Sequence, residues 1–162
     1  MRALKIVLAG AATLGLVSIT ITMSANSTAL PDDTALTDQQ RQDIVSHFAS
    51  AIVHDDHPGI AASTTPDITW TIPGTSSISG QTSGQTAVMN LADILSRHEL
   101  HITVRGYTFG RDTVAVELHD TGNHDGVTLD QDVVNVLTIR DGKIASVTAN
   151  FADVASFDAY FA

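Results

Sequence analysis

Residues 100–151 read LHITVRGYTFGRDTVAVELHDTGNHDGVTLDQDVVNVLTIRDGKIASVTANF. Apolar and polar residues alternate along this stretch in four runs, the mark of strands with one face covered. The runs are Leu100–Phe109, Thr113–Thr121, Thr128–Arg140 and Lys143–Phe151. Short turn segments separate them: Gly110-Arg111-Asp112, then Gly122 to Gly126, then Asp141-Gly142. Asp-Gly is the strongest hairpin signal of the three, because both residues tolerate the positive φ that a tight turn demands. Connections this short join neighbouring antiparallel strands, so the second half of the chain is expected to be an antiparallel sheet.

The first half supplies helices to cover it. Thr37 or Asp38 can cap a helix running to about Asp55, with Ile44, Val45, Phe48, Ala51 and Ile52 on one face and Arg41, Gln42 and Asp43 among the exposed positions. His57-Pro58-Gly59 ends it, and Gly59 to Thr64 suits a brief second helix. Asp67 opens a strand, Ile68-Thr69-Trp70-Thr71-Ile72, which Pro73-Gly74 stops. A Ser/Gly/Thr-rich loop follows, then a helix from about Gln85 to His98 with Val88, Leu91, Ala92 and Leu95 on one side. A short helix from Val154 to Phe161 closes the chain. The order predicts an α+β fold with helices on one face of a curved, mostly antiparallel sheet.

The 162 residues suffice for one domain with a sizeable core. Hydrophobic residues make up 43% of the chain, too many for a disordered polyanion. The 8 Lys+Arg against 18 Asp+Glu exclude a phosphate-backbone binder, so no nucleic-acid partner is expected. Arg2 and Lys5 precede an uncharged run over residues 6–22 and then small residues, the layout of a secretory signal ending near Ala25 or Ala29. The expected division is therefore a signal peptide or N-terminal anchor over 1–29, a linker over 30–37 and the domain over 38–162. That places the domain outside the cytoplasm, secreted or periplasmic. An uncleaved membrane anchor through residues 6–22 is the alternative. With no cysteine in the chain, no disulfide supports the fold and the core alone must hold it.

The ordered set Pro66 to Gly74, Ser79-Gly80 with Gly84, Leu118-His119, Leu129-Asp130, Arg140 to Ile144, and Asp153 with Phe157 resembles the SnoaL-like branch of the nuclear transport factor 2-like superfamily. The likeness runs from about Thr37 to Phe161. It implies a cone: a strongly bent sheet wrapped over the helices, with an apolar pocket open at one end. Members of the superfamily include polyketide cyclases, ketosteroid isomerases, limonene epoxide hydrolases and dehydratases, beside non-catalytic binding and dimerisation modules. Fold alone therefore does not choose the function.

Within that frame His119 is the leading catalytic candidate. It shares a strand face with Ala115 and Glu117, while Val114, Val116 and Leu118 share the other. If the mixed face looks inward, Glu117 and His119 form an acid/base pair in a partly apolar pocket. If the aliphatic face is the core, both are solvated. Trp70 suits a ligand wall or a packing position equally, and Tyr107, Asn135 and Asn150 are further candidate ligand contacts. Asn150 stands near where epoxide-hydrolase and cyclase relatives carry an acid, and an amide cannot exchange a proton there. Asp153, just before Val154, reads as a helix cap. His54-Asp55-Asp56-His57 reads as a polar helix end rather than a metal site, and His119-Asp120 with His124-Asp125 as hairpin residues. No metal and no cofactor are expected.

Two functions stay open. One is an exported module, non-catalytic, whose pocket holds a small hydrophobic molecule and which forms a homodimer through the sheet. The other is an isomerase-, cyclase- or epoxide-hydrolase-type enzyme that moves a proton with His119, helped by Glu117. The dimer is suggested by strand 128–140, where Val133, Leu137 and Ile139 on one side back Val134 and Val136 on the other.

Overall fold

A computed structural model describes residues 35–162. The leader and anchor readings of residues 1–29, and the linker up to residue 34, lie outside the described residues. Among the described residues no helix is long and apolar enough to cross a membrane.

Ten elements follow in order: α1 (Asp38–Val53), α2 (His57–Ser63), β1 (Thr64–Ile72), β2 (Gly80–Ser83), α3 (Gln85–Arg97), β3 (His101–Phe109), β4 (Thr113–His124), β5 (Val127–Arg140), β6 (Lys143–Phe151) and α4 (Val154–Tyr160). The strands form one six-stranded sheet in the order β2-β1-β6-β5-β4-β3. Only the β1–β6 pairing is parallel. The expected α+β architecture, with helices and a mostly antiparallel sheet, is what the chain adopts.

Local chemistry explains the elements. Thr37 and Gln40 form a reciprocal capping box at the start of α1, which satisfies two otherwise free N–H groups. Val45, Phe48, Ala51 and Ile52 are buried along that helix, and Val88, Leu91, Ala92 and Leu95 along α3. Both Asp-Gly turns carry positive φ at both residues: 49° and 84° at Asp125-Gly126, 53° and 72° at Asp141-Gly142. These are the two-residue hairpins that match strand twist.

Three boundaries and one added strand depart from expectation. α2 begins at His57, because the Asp56 side chain accepts the Gly59 N–H and Pro58 is tolerated in a first turn. β1 begins at Thr64, three residues before Asp67. β4 runs on to His124, since the turn is only Asp125-Gly126 and residues 122–124 pair with 127–129. Gly80–Ser83 forms an edge strand on β1, built from backbone pairing in a polar segment with no alternation to betray it. One side chain also differs. Arg41 is not solvated: its guanidinium donates to the carbonyls of Gly110 and Arg111 and to Asp38, tying α1 to the β3–β4 turn.

The core lies between the helices and the inner face of the sheet, where Val114, Val116 and Leu118 of β4 meet Leu129, Val133 and Leu137 of β5. α4 closes one side through Phe157, stacked on Phe151 with centroids 4.0 Å apart. As expected, Asp153 caps this helix, accepting the Ser156 N–H at 3.0 Å.

Asp158 fastens α4 to the loop after β1. It accepts the Thr75 and Ser76 N–H groups at 2.9 Å, and a side chain at Gly74 would run into it. The Thr75 N–H above all holds the Asp158 carboxyl below its ordinary 3.8. A depressed folded value means this contribution is present above the unfolded pKa and lost as pH falls through the folded one. Asp158→Asn is thus expected to make the acid limb of a melting-temperature profile shallower than that of wild type, while Asp67, Asp93 and Asp132, also held below their ordinary value, keep the rest of the slope.

Candidate functional site

The inner face of the sheet and α1 enclose a cavity of about 70 Å³. Phe48, Ile52 and Val53 of α1 form one wall, and Trp70, Val116, Leu118, Leu137, Val147 and Phe157 much of the rest. Val53 is exposed at the end of α1 and therefore stands at the rim. In this apolar lining three side chains carry polar atoms: Asp120, Asn135 and Trp70. All three have a buried atom with no hydrogen-bond partner: Asp120 Oδ1, Asn135 Oδ1 and Trp70 Nε1. Buried polar groups are nearly always paired, so these three atoms are the unmet hydrogen-bonding positions of the lining.

Asp120 is the titratable member of the three. It follows Val114, Val116 and Leu118 on the inner face of β4 and is 4% exposed. Burial away from water destabilises its charged form and pushes its carboxyl up to about 7, against a smaller opposing pull from the charge of His119. Such a group is poised both to take and to give a proton near neutral pH. Trp70 supplies an N–H and Asn135 an amide that can present either end, so both suit an oxygen of a bound molecule.

The residues expected from sequence divide between two faces. Trp70 and Asn135 line the cavity; Trp70 is 7% exposed and packs on Phe48 with centroids 5.8 Å apart. Glu117 and His119 lie on the opposite face of β4, and neither lines the cavity. Glu117 is solvent-exposed. The His119 ring sits between two carboxylates, Nδ1 2.8 Å from Asp132 and Nε2 3.1 Å from Asp130, with Arg105 2.9 Å from Asp132. The aliphatic face is the inner one, so His119 and Glu117 do not meet as a pair inside the pocket. Tyr107 Oη is 3.1 Å from Ser46 Oγ, off the cavity. Asn150 is exposed and donates to the carbonyls of Val134 and Thr148 at 3.0 and 3.3 Å.

Asp120 escaped the sequence reading by one residue. Extending the Val114, Val116, Leu118 row by one further alternation reaches it, but its place beside Thr121 and Gly122 made it look like part of a turn. An acid at the end of an aliphatic row was the available signal.

Away from the cavity, Asp55, His57 and Asp93 bring one ligand atom each within 4.8 Å of one another. His57 Nε2 is 2.7 Å from Asp93 and 3.4 Å from Asp55. Spacing showed the first two; Asp93 arrives from α3. The hydrogen bond to Asp93 is the main cause raising the His57 pKa. The stabilisation of this raised pair is present below the unfolded histidine value and lost as pH rises through the folded one. Asp93→Asn is expected to lower the His57 pKa toward its ordinary value, with Asp55 still holding part of the rise, read from its ring proton shifts.

Comparison with known proteins agrees with this architecture. The family model described as a SnoaL-like domain matches residues 45–147. A protein of unknown function with a cystatin-like fold from Xanthomonas campestris is 31% identical, covering 74% of this chain and 96% of its own at TM-score 0.69. An NTF2-like protein from Burkholderia xenovorans is 24% identical, covering 78% of this chain and 98% of its own at TM-score 0.68. A structure provisionally named a SnoaL-like polyketide cyclase, from Jannaschia sp., is 19% identical, covering 76% and 93% at TM-score 0.63. None of the curated proteins matches the chain.

Proposed function

This chain belongs to the SnoaL-like domain family, and from that premise we propose that it is a proton-transfer enzyme for a small apolar carbonyl compound, with Asp120 as general acid and base. The observation that carries the reading is the buried, unpartnered Asp120 carboxyl facing an apolar cavity, with its pKa pushed up to about 7. In the reaction the ionised carboxylate takes a proton from the carbon next to the carbonyl. The C–H electron pair moves into an enolate, whose oxygen is met by Trp70 Nε1–H and the Asn135 amide. Asp120 then returns the proton at the far carbon of the conjugated system, so the substrate is isomerised and the enzyme restored. The cavity of about 70 Å³ is far below the ~300–1,000 Å³ of drug-sized pockets and below the ~150 Å³ that holds a benzene ring, so the substrate is small and a single ring fits only when Val53 at the rim is displaced.

The test is proton chemistry on small β,γ-unsaturated ketones such as 3-cyclohexenone. Wild type should isomerise them and, in D₂O, incorporate deuterium next to the carbonyl. The rate should rise with pH through a single ionisation near 7. No turnover by wild type over this panel, with ketones nevertheless bound, would favour the second reading.

That second reading is an exported, non-catalytic module that holds a small hydrophobic molecule and dimerises through the outer sheet face. The absence of an acid at Asn150 and the almost wholly apolar lining favour it. Export through residues 1–29 belongs to both readings. Homodimerisation through the sheet has Val134, exposed on the outer face, at its centre, and Val134→Glu should leave a monomer by sedimentation.

A further inference from the structure

We infer that Gln131 is the positioning residue for Asp120: its side-chain amide is the donor that meets the carboxylate when Asp120 gives up its proton. The inference rests on the proton-transfer reading of Asp120. The register of the β4–β5 ladder sets the two residues directly opposite each other. Both are buried, among the few buried polar side chains of the described residues. Residues so paired have Cβ atoms about 5 Å apart on the same face of the sheet. Each carries an orphan, and the orphans are complementary: Gln131 Nε2 is a donor without an acceptor, Asp120 Oδ1 an acceptor without a donor.

The orientation of the amide is fixed from its other end. Gln131 Oε1 accepts the Asp153 N–H at 3.0 Å, which holds the oxygen at the start of α4 and leaves Nε2 as the end that is free to donate. Asp153 is itself anchored as the cap of that helix. A neutral Asp120 has less call on a donor, because hydrogen bonds to a charged acceptor are roughly twice as strong as those to a neutral one. On ionisation the balance changes, and a small side-chain shift brings donor to acceptor. Gln131 thereby lowers the cost of the ionised state that the reaction needs, without itself lining the cavity.

The surroundings leave few other groups for this task. On the β3 side the residue in register with Asp120 is Ile102. On β4 the adjacent His119 bears on it by charge, from a ring held on the opposite face by Asp130 and Asp132. On the α4 side Tyr160 Oη approaches Gly122, two residues along, but donates to the His98 carbonyl.

The test follows the Asp120 carboxyl carbon by ¹³C NMR in the full chain, with Asp120→Asn assigning the signal. Wild type is compared with Gln131→Met and Gln131→Leu, which remove the donor without adding a charge. Both variants should titrate at higher pH than wild type, by about one unit, a tenfold change in proton affinity. If neither variant folds, the Gln131 side-chain N–H signals of wild type still decide, because they should shift as Asp120 ionises. An Asp120 titration unmoved in both variants overturns the inference and leaves the Asp120 reading standing. A wild-type Asp120 titrating near 4 that moves upward in the variants supports the inference and overturns Asp120 as a base tuned to neutral pH. A titration near 4 in all of them overturns both.

Discussion

Asp120→Asn is expected to abolish proton transfer and, at the same time, to make the protein more stable at pH 8. The first effect follows from the chemistry: a general acid–base contributes about 10²- to 10⁴-fold, and an amide cannot replace it. Ketone isomerisation and deuterium incorporation should therefore fall by that factor. A variant that keeps wild-type rates would remove Asp120 from the mechanism.

The second effect has its sign fixed by linkage. Burial pushes the folded carboxyl up to about 7, above its ordinary 3.8, so the unfolded chain ionises first as pH rises. Its contribution is fully favourable below the unfolded value and is lost as pH rises through the folded one. The difference of roughly three units corresponds to a cost on the order of 4 kcal/mol above pH 7, at ~1.4 kcal/mol per unit. Asn removes that cost and leaves a neutral buried amide, whose own unmet hydrogen bonds cost about 1–3 kcal/mol. The variant should thus melt higher than wild type at pH 8 and lose that advantage by pH 4. A melting temperature for Asp120→Asn below wild type across the whole range would contradict a desolvated carboxyl. Stability held back by a buried acid is the signature of a group kept for chemistry rather than for packing.

What could be read from the chain depended on how local each signal was. The Asp141-Gly142 turn, the capping residues Thr37 and Asp153 and the aliphatic rows of α1 and α3 all depend on neighbours within a few residues, and the structure has them where expected. Facing is different. On β4 the Ala115, Glu117, His119 row and the Val114, Val116, Leu118 row are both consistent with a strand, and only the packing of β3, β5 and the helices selects the aliphatic one. The polar residue that then matters, Asp120, is defined by that choice. Distance in sequence hid the other partners too. Gln131 meets Asp120 through strand register, Asp93 meets His57 from another helix, and β2 exists because β1 offers it an edge. Trp70 was legible as a large residue beside a turn, but whether it packs or lines a cavity was not, because it packs on Phe48 and forms cavity wall at once.

Trp70→Ala should cost about 3–5 kcal/mol, the range for deleting a large buried aromatic side chain. The residue is 7% exposed, packs on Phe48 and forms part of the cavity wall, so truncation joins a void to space already present. Chemical unfolding should show this as a lower midpoint with an unchanged slope. Trp70→Phe separates the two roles of the indole. The ring is largely retained, while the orphan Nε1–H is removed. A buried donor without an acceptor is a liability of about 1–3 kcal/mol in the free protein. Its loss offsets much of the lost packing, and Trp70→Phe should be close to wild type in stability. Ligand binding should move the other way, because a bound carbonyl oxygen is the acceptor the indole lacks. With Trp70→Phe, affinity for a small ketone should fall about tenfold, the worth of one hydrogen bond near 1.4 kcal/mol. Affinity for a hydrocarbon of the same shape should not change. Equal losses for both probes would make Trp70 a packing residue alone, and would leave the carbonyl oxygen to Asn135.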